Sequence, residues 1–243
     1  MTLVLEGLDI SSEGRKLVSG VDLTLERGTI TAVLGANGAG KSELVLGLAG
    51  MLPITNGRYA LDGVELTGKT PPEIRAAGIA AVPEGHRVLT RLSVDDNLRA
   101  AGSMLSSGLE DTLADTYALF PELAERKGQL AGTMSGGQQQ MLALGHAMMC
   151  RPEFLLIDEM SLGLAPLVVK RLMEFVTGLK ERGVGILLIE QFTDMALSVS
   201  QHALVMRSGS VRYSGTAADL VNDSNLLDEA YFGAEAAREG AHI

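Results

Sequence analysis

The string GANGAGKS at residues 35–42 constrains this chain more than any other feature. It follows the short apolar run ITAVL at 30–34 and precedes a stretch with helical spacing. Gly35, Gly38 and Gly40 let the backbone turn its N–H groups inward, where side chains would block the approach of phosphate oxygens. Ala36, Asn37 and Ala39 complete the loop. The helix beginning near Lys41 adds its positive N-terminal end. Lys41 is expected to reach the β- and γ-phosphates of a nucleotide, and the Ser42 hydroxyl to take one position on Mg²⁺. Strand, loop and helix thus come in the order a phosphate site requires.

The rest of the chain supplies a sheet for that loop. Residues 154–157 and 185–189 are wholly apolar strands separated by a helix over 166–180, a pattern that suits a parallel sheet covered on both faces. Residues 3–10 and 21–25 alternate apolar and polar side chains, as half-buried strands do. A further strand is expected over 79–82. Helices are expected over 41–52, 93–105 with Ser93 as N-cap, 109–119 and 135–149, while 120–133 reads as polar and irregular. From 203 onward the spacing offers two short strands and two short helices. The expected architecture is a single α/β domain over 1–243. A core lobe of 1–87 and 151–243 holds the mostly parallel sheet and an N-terminal antiparallel β part, and residues 88–150 form a helical insertion.

Composition excludes several classes of function. A formal net charge of −10 argues against a nucleic-acid partner, which would demand a basic stripe, and against direct adsorption to anionic lipid. The one cysteine, Cys150, cannot form an internal disulfide and fits a reducing compartment. No apolar run approaches the ~20 residues of a membrane span. The opening MTLVLEGLDI lacks the basic start and apolar core of a signal peptide. The expectation is a cytoplasmic protein held at the membrane by protein partners.

FLLIDE at 154–159 ends an apolar strand in two carboxylates. Beside a phosphate loop, Asp158 is placed to hold Mg²⁺ through water, since that ion keeps part of its hydration shell. Glu159 is placed to orient and polarise the water that attacks the γ-phosphate.

At MSGGQQQ, residues 134–140, the chain resembles the ABC ATPases, whose signature is LSGGQ. Ser135, Gly136, Gly137 and Gln138 match, and Met134 replaces the leading Leu. The resemblance implies a P-loop NTPase fold of ABC type. It also implies that these four residues cap the γ-phosphate bound by the opposite subunit, through a hydroxyl, N–H groups and a helix N-terminus. The segments VPEGHRVLTRLSVDDNL at 82–98, DEMSLGLAP at 158–166, IEQF at 189–192 and LLDEAYFG at 226–233 look like the second ATPase subunit of bacterial branched-chain amino-acid ABC importers. In that group Glu84 stands where most ABC ATPases carry Gln, near Mg²⁺ and the membrane subunit. Gln191 stands in place of the switch His.

The implied machine takes ATP and Mg²⁺. It pairs this chain with a related ATPase as a heterodimer, although a homodimer can form in isolation, and adds two permease subunits and a periplasmic binding protein. Permease contacts are expected around 84–92 and the helical insertion, and residues 161–166 would cross to the partner ATPase. The alternatives are a catalytically degenerate regulatory subunit of such an importer and a non-transport ABC ATPase. The second would need coiled-coil arms or basic surfaces, which the sequence lacks.

Three positions depart from the wider family pattern. The adenine-stacking aromatic falls at Ser12, and SSEGRK at 11–16 offers none. Stacking is worth ~1–3 kcal/mol per base, so ATP affinity is expected to fall about fivefold to more than a hundredfold unless Arg15 or Lys16 lies over the base. Glu43 replaces the Thr or Ser that bonds the α-phosphate. At ~5 Å from a phosphate its charge would cost about 3 kcal/mol at an effective dielectric of 20, so it is expected to turn outward. Gln191 can donate a hydrogen bond but carries no proton or positive charge, which shifts the chemical burden to Glu159.

Overall fold

Two sheets divide the strands between them, and the phosphate loop sits where they meet. The computed structural model describes residues 1–85 and 88–233. His86 and Arg87, which fall in the 82–98 segment and at the lobe boundary above, lie outside the described residues, as do 234–243.

The chain opens with a hairpin of β1 (Thr2–Ser12) and β2 (Arg15–Glu26), then β3 (Ile30–Leu34) and α1 (Lys41–Leu48). Next come β4 (Ile54–Leu61), β5 (Val64–Glu65), α2 (Pro71–Ala76) and β6 (Ile79–Val82). Four helices follow: α3 (Val94–Ala101), α4 (Leu109–Leu119), α5 (Pro121–Ala124) and α6 (Gly136–Met148). The chain then returns through β7 (Phe154–Asp158), α7 (Pro166–Glu181), β8 (Gly185–Ile189) and α8 (Thr193–Val199). It ends with β9 (His202–Arg207), β10 (Ser210–Thr216), α9 (Ala217–Asn222) and α10 (Ser224–Phe232).

The antiparallel sheet has the order β2-β1-β4-β5, and the second sheet the order β10-β9-β3-β8-β7-β6. In the second, β9, β3, β8, β7 and β6 run parallel and only β10 is antiparallel. The expected fold class holds. Because β8 lies between β3 and β7, the phosphate loop leaving β3 and the carboxylates ending β7 emerge at the same sheet edge.

Strand alternation explains how the sheet serves two cores. Phe154 and Leu156 face the antiparallel sheet and α1, packing with Leu3, Leu5, Leu44 and Leu48. Leu155 and Ile157 face the opposite layer with Leu142, Leu172 and Val176 of α6 and α7. Each such buried side chain contributes about 1.5–3 kcal/mol, so the strand ends carrying the site are anchored on both faces.

Three expected helices are shorter than their sequence spacing. The helix expected over 41–52 stops at Leu48, because Gly50 takes φ +74° and Met51 N–H turns back to the Leu46 carbonyl. The one expected over 93–105 ends at Ala101, followed by Gly102, where a Cβ would stand 2.6 Å from Leu109. Its Ser93 cap is as expected, with the hydroxyl accepting from Asp96 N–H. The helix expected over 135–149 spans Gly136–Met148.

Candidate functional site

The phosphate loop owes its shape to glycine at two tight positions. A Cβ on Gly35 would sit 2.2 Å from the Met206 carbonyl oxygen. One on Gly40, at φ +101°, would lie 3.1 Å from the Leu17 carbonyl oxygen. The loop is thus wedged between β9 and β2, which fixes the direction of its N–H groups. Lys41, 5% exposed, folds its ammonium back into the loop mouth and donates to the carbonyls of Gly35 (2.9 Å) and Ala36 (3.2 Å). Ser42 and Glu43 stand half-buried in the first turn of α1. An acid is favoured in that turn by the helix dipole.

Asp158, 3% exposed, ends β7 beside this loop. Burial pushes its carboxyl up to about 6, and the charges of Glu159 and Glu84 push the same way. The Ser42 hydroxyl, hydrogen-bonded to the carboxylate, and the Lys41 charge pull it back. Its Oδ1 is buried with no hydrogen-bond partner. A buried carboxylate oxygen left bare costs several kcal/mol unless something cationic meets it. Ser42, Asp158 and the exposed Glu84 together offer the hard oxygen donors that Mg²⁺ takes, so the residues present fit that ion.

Glu159 is held in an uncommon conformation. Its φ is +48°, the left-handed region that costs a non-glycine residue on the order of 1 kcal/mol. Its N–H donates to the Ile189 carbonyl at 3.0 Å, tying the turn after β7 to the end of β8. Gln191 stands exposed two residues beyond that carbonyl. Loop, carboxylates and Gln191 therefore share one edge of the sheet.

Glu190 is the residue that sequence reasoning missed. It is 1% exposed, and its Oε2 accepts from the Ser161 hydroxyl. Its other carboxylate oxygen is buried without a partner. Burial pushes its carboxyl up to about 7, opposed by the Ser161 hydrogen bond and reinforced by the Glu159 charge. The signal was present: an acid closing the apolar strand GILLI, as Asp158 closes FLLI.

The signature stands apart, at the start of α6. Ser135 accepts from Gln138 N–H, and the Gln138 side chain accepts from Ser135 N–H at 3.0 Å, a reciprocal cap. Ser135 and Gly136 are exposed, while Gly137 is buried against α7, where a Cβ would stand 2.7 Å from Val168. Met134, in place of Leu, is buried in the core below. The replacement keeps an apolar anchor there.

The hairpin tip carrying Ser12 lies near the loop, since Leu17 of β2 abuts Gly40. Ser12 pairs with Arg15 across a turn with Glu13 and Gly14 at positive φ. Lys16 is drawn away to Asp9 by a 2.6 Å ion pair, which leaves the exposed Arg15 as the cation nearest the tip.

Residues 18–161 match the ABC transporter family. The chain is 41% identical over 214 residues to the high-affinity branched-chain amino acid transport ATP-binding protein BraG of Pseudomonas aeruginosa, covering 88% of this chain and 91% of that one. It is 34% identical over 206 residues to the probable branched-chain amino acid transport ATP-binding protein LivF of Archaeoglobus fulgidus, covering 83% and 86%. Among solved structures it is similar to the ADP conformation of an ATP-binding cassette of an ABC transporter. That match has a TM-score of 0.82 at 25% identity and covers 94% of this chain and 98% of that one.

Proposed function

The chain belongs to the ABC transporter family as an ATP-binding subunit whose hydrolysis drives transport, and on that premise we propose that it powers import of branched-chain or related amino acids as one of two ATPases closed face to face. The observation that carries this reading is the incompleteness of the site within one chain. Lys41, Ser42, Asp158 and Glu159 converge on one edge, while the exposed Ser135–Gly136 tip sits on another element, at the start of α6.

In the mechanism, the loop N–H groups and Lys41 hold the β- and γ-phosphates, and a partner's Ser135 and Gly136 close over the γ-phosphate. Ser42 and Asp158, with Glu84 beside them, would hold Mg²⁺, which supplies charge neutralisation on the phosphates. Glu159 orients a water toward phosphorus and takes its proton as the bond to ADP breaks. Gln191 contributes a hydrogen bond without a charge.

Two surface features support the partners. A groove of about 690 Å³ runs beside Leu164, Val169, Met173 and Phe192, next to exposed Leu162 and Leu167. That apolar edge suits the second ATPase, taken here as a related but different chain. A second groove, of about 170 Å³, opens between α2, the end of β6 and α6, lined by Met51, Arg75, Pro83, Ala143 and His146. With exposed Leu89 and Leu92 nearby in sequence, it suits a permease segment docking between a core lobe and the 88–150 lobe. No described helix is long and apolar enough to cross a membrane, so these contacts would hold the chain on the cytoplasmic face.

The Glu159→Gln variant tests the catalytic assignment. It should bind ATP normally, turn over at least a hundredfold more slowly and accumulate closed pairs. Unchanged turnover would remove Glu159 from its role. For the substrate, the complex purified from membranes should carry a binding protein loaded with a branched-chain or related amino acid. A binding protein loaded with a sugar or metal would overturn that part.

A further inference from the structure

The C-terminal LLDEAYFG stretch has no part in the chemistry described so far, yet one atom of it reaches the site. α10 packs on the outer face of β9, where Tyr231, Leu226 and Leu227 meet Ala203, Val205 and Leu34. From there the Tyr231 hydroxyl accepts from the N–H of Gly35 at 3.2 Å. It also shares a 3.0 Å hydrogen bond with the Thr193 hydroxyl. Gly35 is the first residue of the phosphate loop, and Thr193 opens α8 two residues after Gln191. One oxygen thus joins two segments 158 positions apart in sequence. Both sit at the sheet edge where nucleotide is expected.

We propose that Tyr231 is a positioning residue, a strut by which the C-terminal helix holds the entry of the phosphate loop in register with the switch segment. The physical case rests on what each partner loses without it. Gly35 is pressed against Met206 so closely that no side chain fits. Its N–H, part-buried at the loop entry, therefore has little freedom to find another acceptor within the chain. Thr193 lies in the first turn of α8, where the backbone N–H groups have no intrahelical acceptor and the first turn frays easily. A phenol is suited to both tasks, because its oxygen can accept one hydrogen bond and share a second with a hydroxyl in either direction while the ring stays packed. The strut does not touch phosphate. It acts through Gly35 on nucleotide grip and through Thr193 on the placement of Gln191.

The inference rests on the loop at 35–42 being the nucleotide site, so the test includes Lys41→Ala as a control on that reading. The full chain and its Tyr231→Phe, Thr193→Val and double variants are titrated with Mg-ATP by calorimetry and followed by amide hydrogen exchange. Tyr231→Phe should weaken ATP binding about three- to tenfold. It should speed exchange at residues 34–36 and 191–195 together, with the unfolding midpoint and the rest of α10 unchanged. Thr193→Val should speed exchange at 191–195 and, more weakly, at Gly35. In the Tyr231→Phe background it should add nothing.

The strut is overturned if Tyr231→Phe leaves affinity within twofold and exchange unchanged. It is equally overturned if the changes stay inside α10, or if protection falls uniformly with a lowered midpoint, the mark of a purely structural side chain. Loss of ATP binding in Lys41→Ala alongside a silent Tyr231→Phe sinks the strut alone. Undiminished binding in Lys41→Ala sinks the nucleotide site itself.

Discussion

The two halves of the proposed ATP site are built on opposite plans. The carboxylate edge is buried and incomplete: Asp158 and Glu190 each hold a buried oxygen with no partner, and Glu159 sits at positive φ. The signature tip is exposed and self-sufficient, with its serine and glutamine capping one another and Gly137 seated against Val168. The first region carries electrostatic strain that a cation would relieve. The second carries none and offers only a capped, preshaped helix N-terminus. On the proposed reading, residues assigned to chemistry within the chain are held at a cost in stability, while those assigned to a partner cost nothing until the partner arrives.

Substitution at the carboxylate edge should therefore separate stability from activity. Asp158→Asn should lower Mg-dependent ATP turnover by at least a hundredfold. It should also raise the stability of the nucleotide-free chain by on the order of 1–3 kcal/mol, the cost of an unpartnered buried charge. Denaturant midpoints at pH 7.5 check this. A destabilised Asp158→Asn variant would mean the carboxylate is already satisfied within the fold.

Glu190 sharpens the same point through pH. Its carboxyl is raised from 4.5 to about 7 in the folded chain, so the folded state holds that proton more tightly than the unfolded state does. Stability from this group is present below pH ~4.5 and is lost as pH rises to ~7, by up to about 3 kcal/mol. Glu190→Gln should flatten that decline, and the difference between variant and parent should grow across pH 4.5–7 and then level off. A constant difference over that window would show that Glu190 titrates normally.

At the signature tip the effects should be smaller and additive with the rest. Ser135→Ala removes the cap and should cost about 0.5–2 kcal/mol. Gly137→Ala pushes a methyl toward Val168 and should cost about 1 kcal/mol. Neither should weaken the binding of ATP to the isolated chain, measured by calorimetry. Loss of ATP affinity in either would place the tip within its own chain's site and break the comparison.

How much of this could be read from the sequence follows from how local each feature is. The apolar runs of β3, β7 and β8, the loop glycines and the paired carboxylates are contiguous, so spacing alone exposed them. β4 was missed because it is irregular where it matters. Gly57 interrupts ITNGRYAL and lies against the backbone carbonyls of Glu6 and Gly7, where the β1 register slips between Glu6 and Asp9. α2 is six residues long with one buried side chain, Ile74, too short for a period to show. Its Thr70–Glu73 capping box was the readable sign. Residues 120–133, read as irregular, hold α5 and a one-turn 3₁₀ helix over Ala131–Thr133. Glu190 and Tyr231 were hidden for a different reason: their partners lie 29 and 196 positions away.

The most direct test follows the association state of the Glu159→Gln chain, paired with its partner ATPase or with itself, by sedimentation with and without Mg-ATP. A pair that forms only with Mg-ATP and is abolished by Gly136→Asp is the predicted result, since a carboxylate at the tip would face the γ-phosphate across the interface. A pair that forms equally well without nucleotide, or that survives Gly136→Asp, would contradict the account.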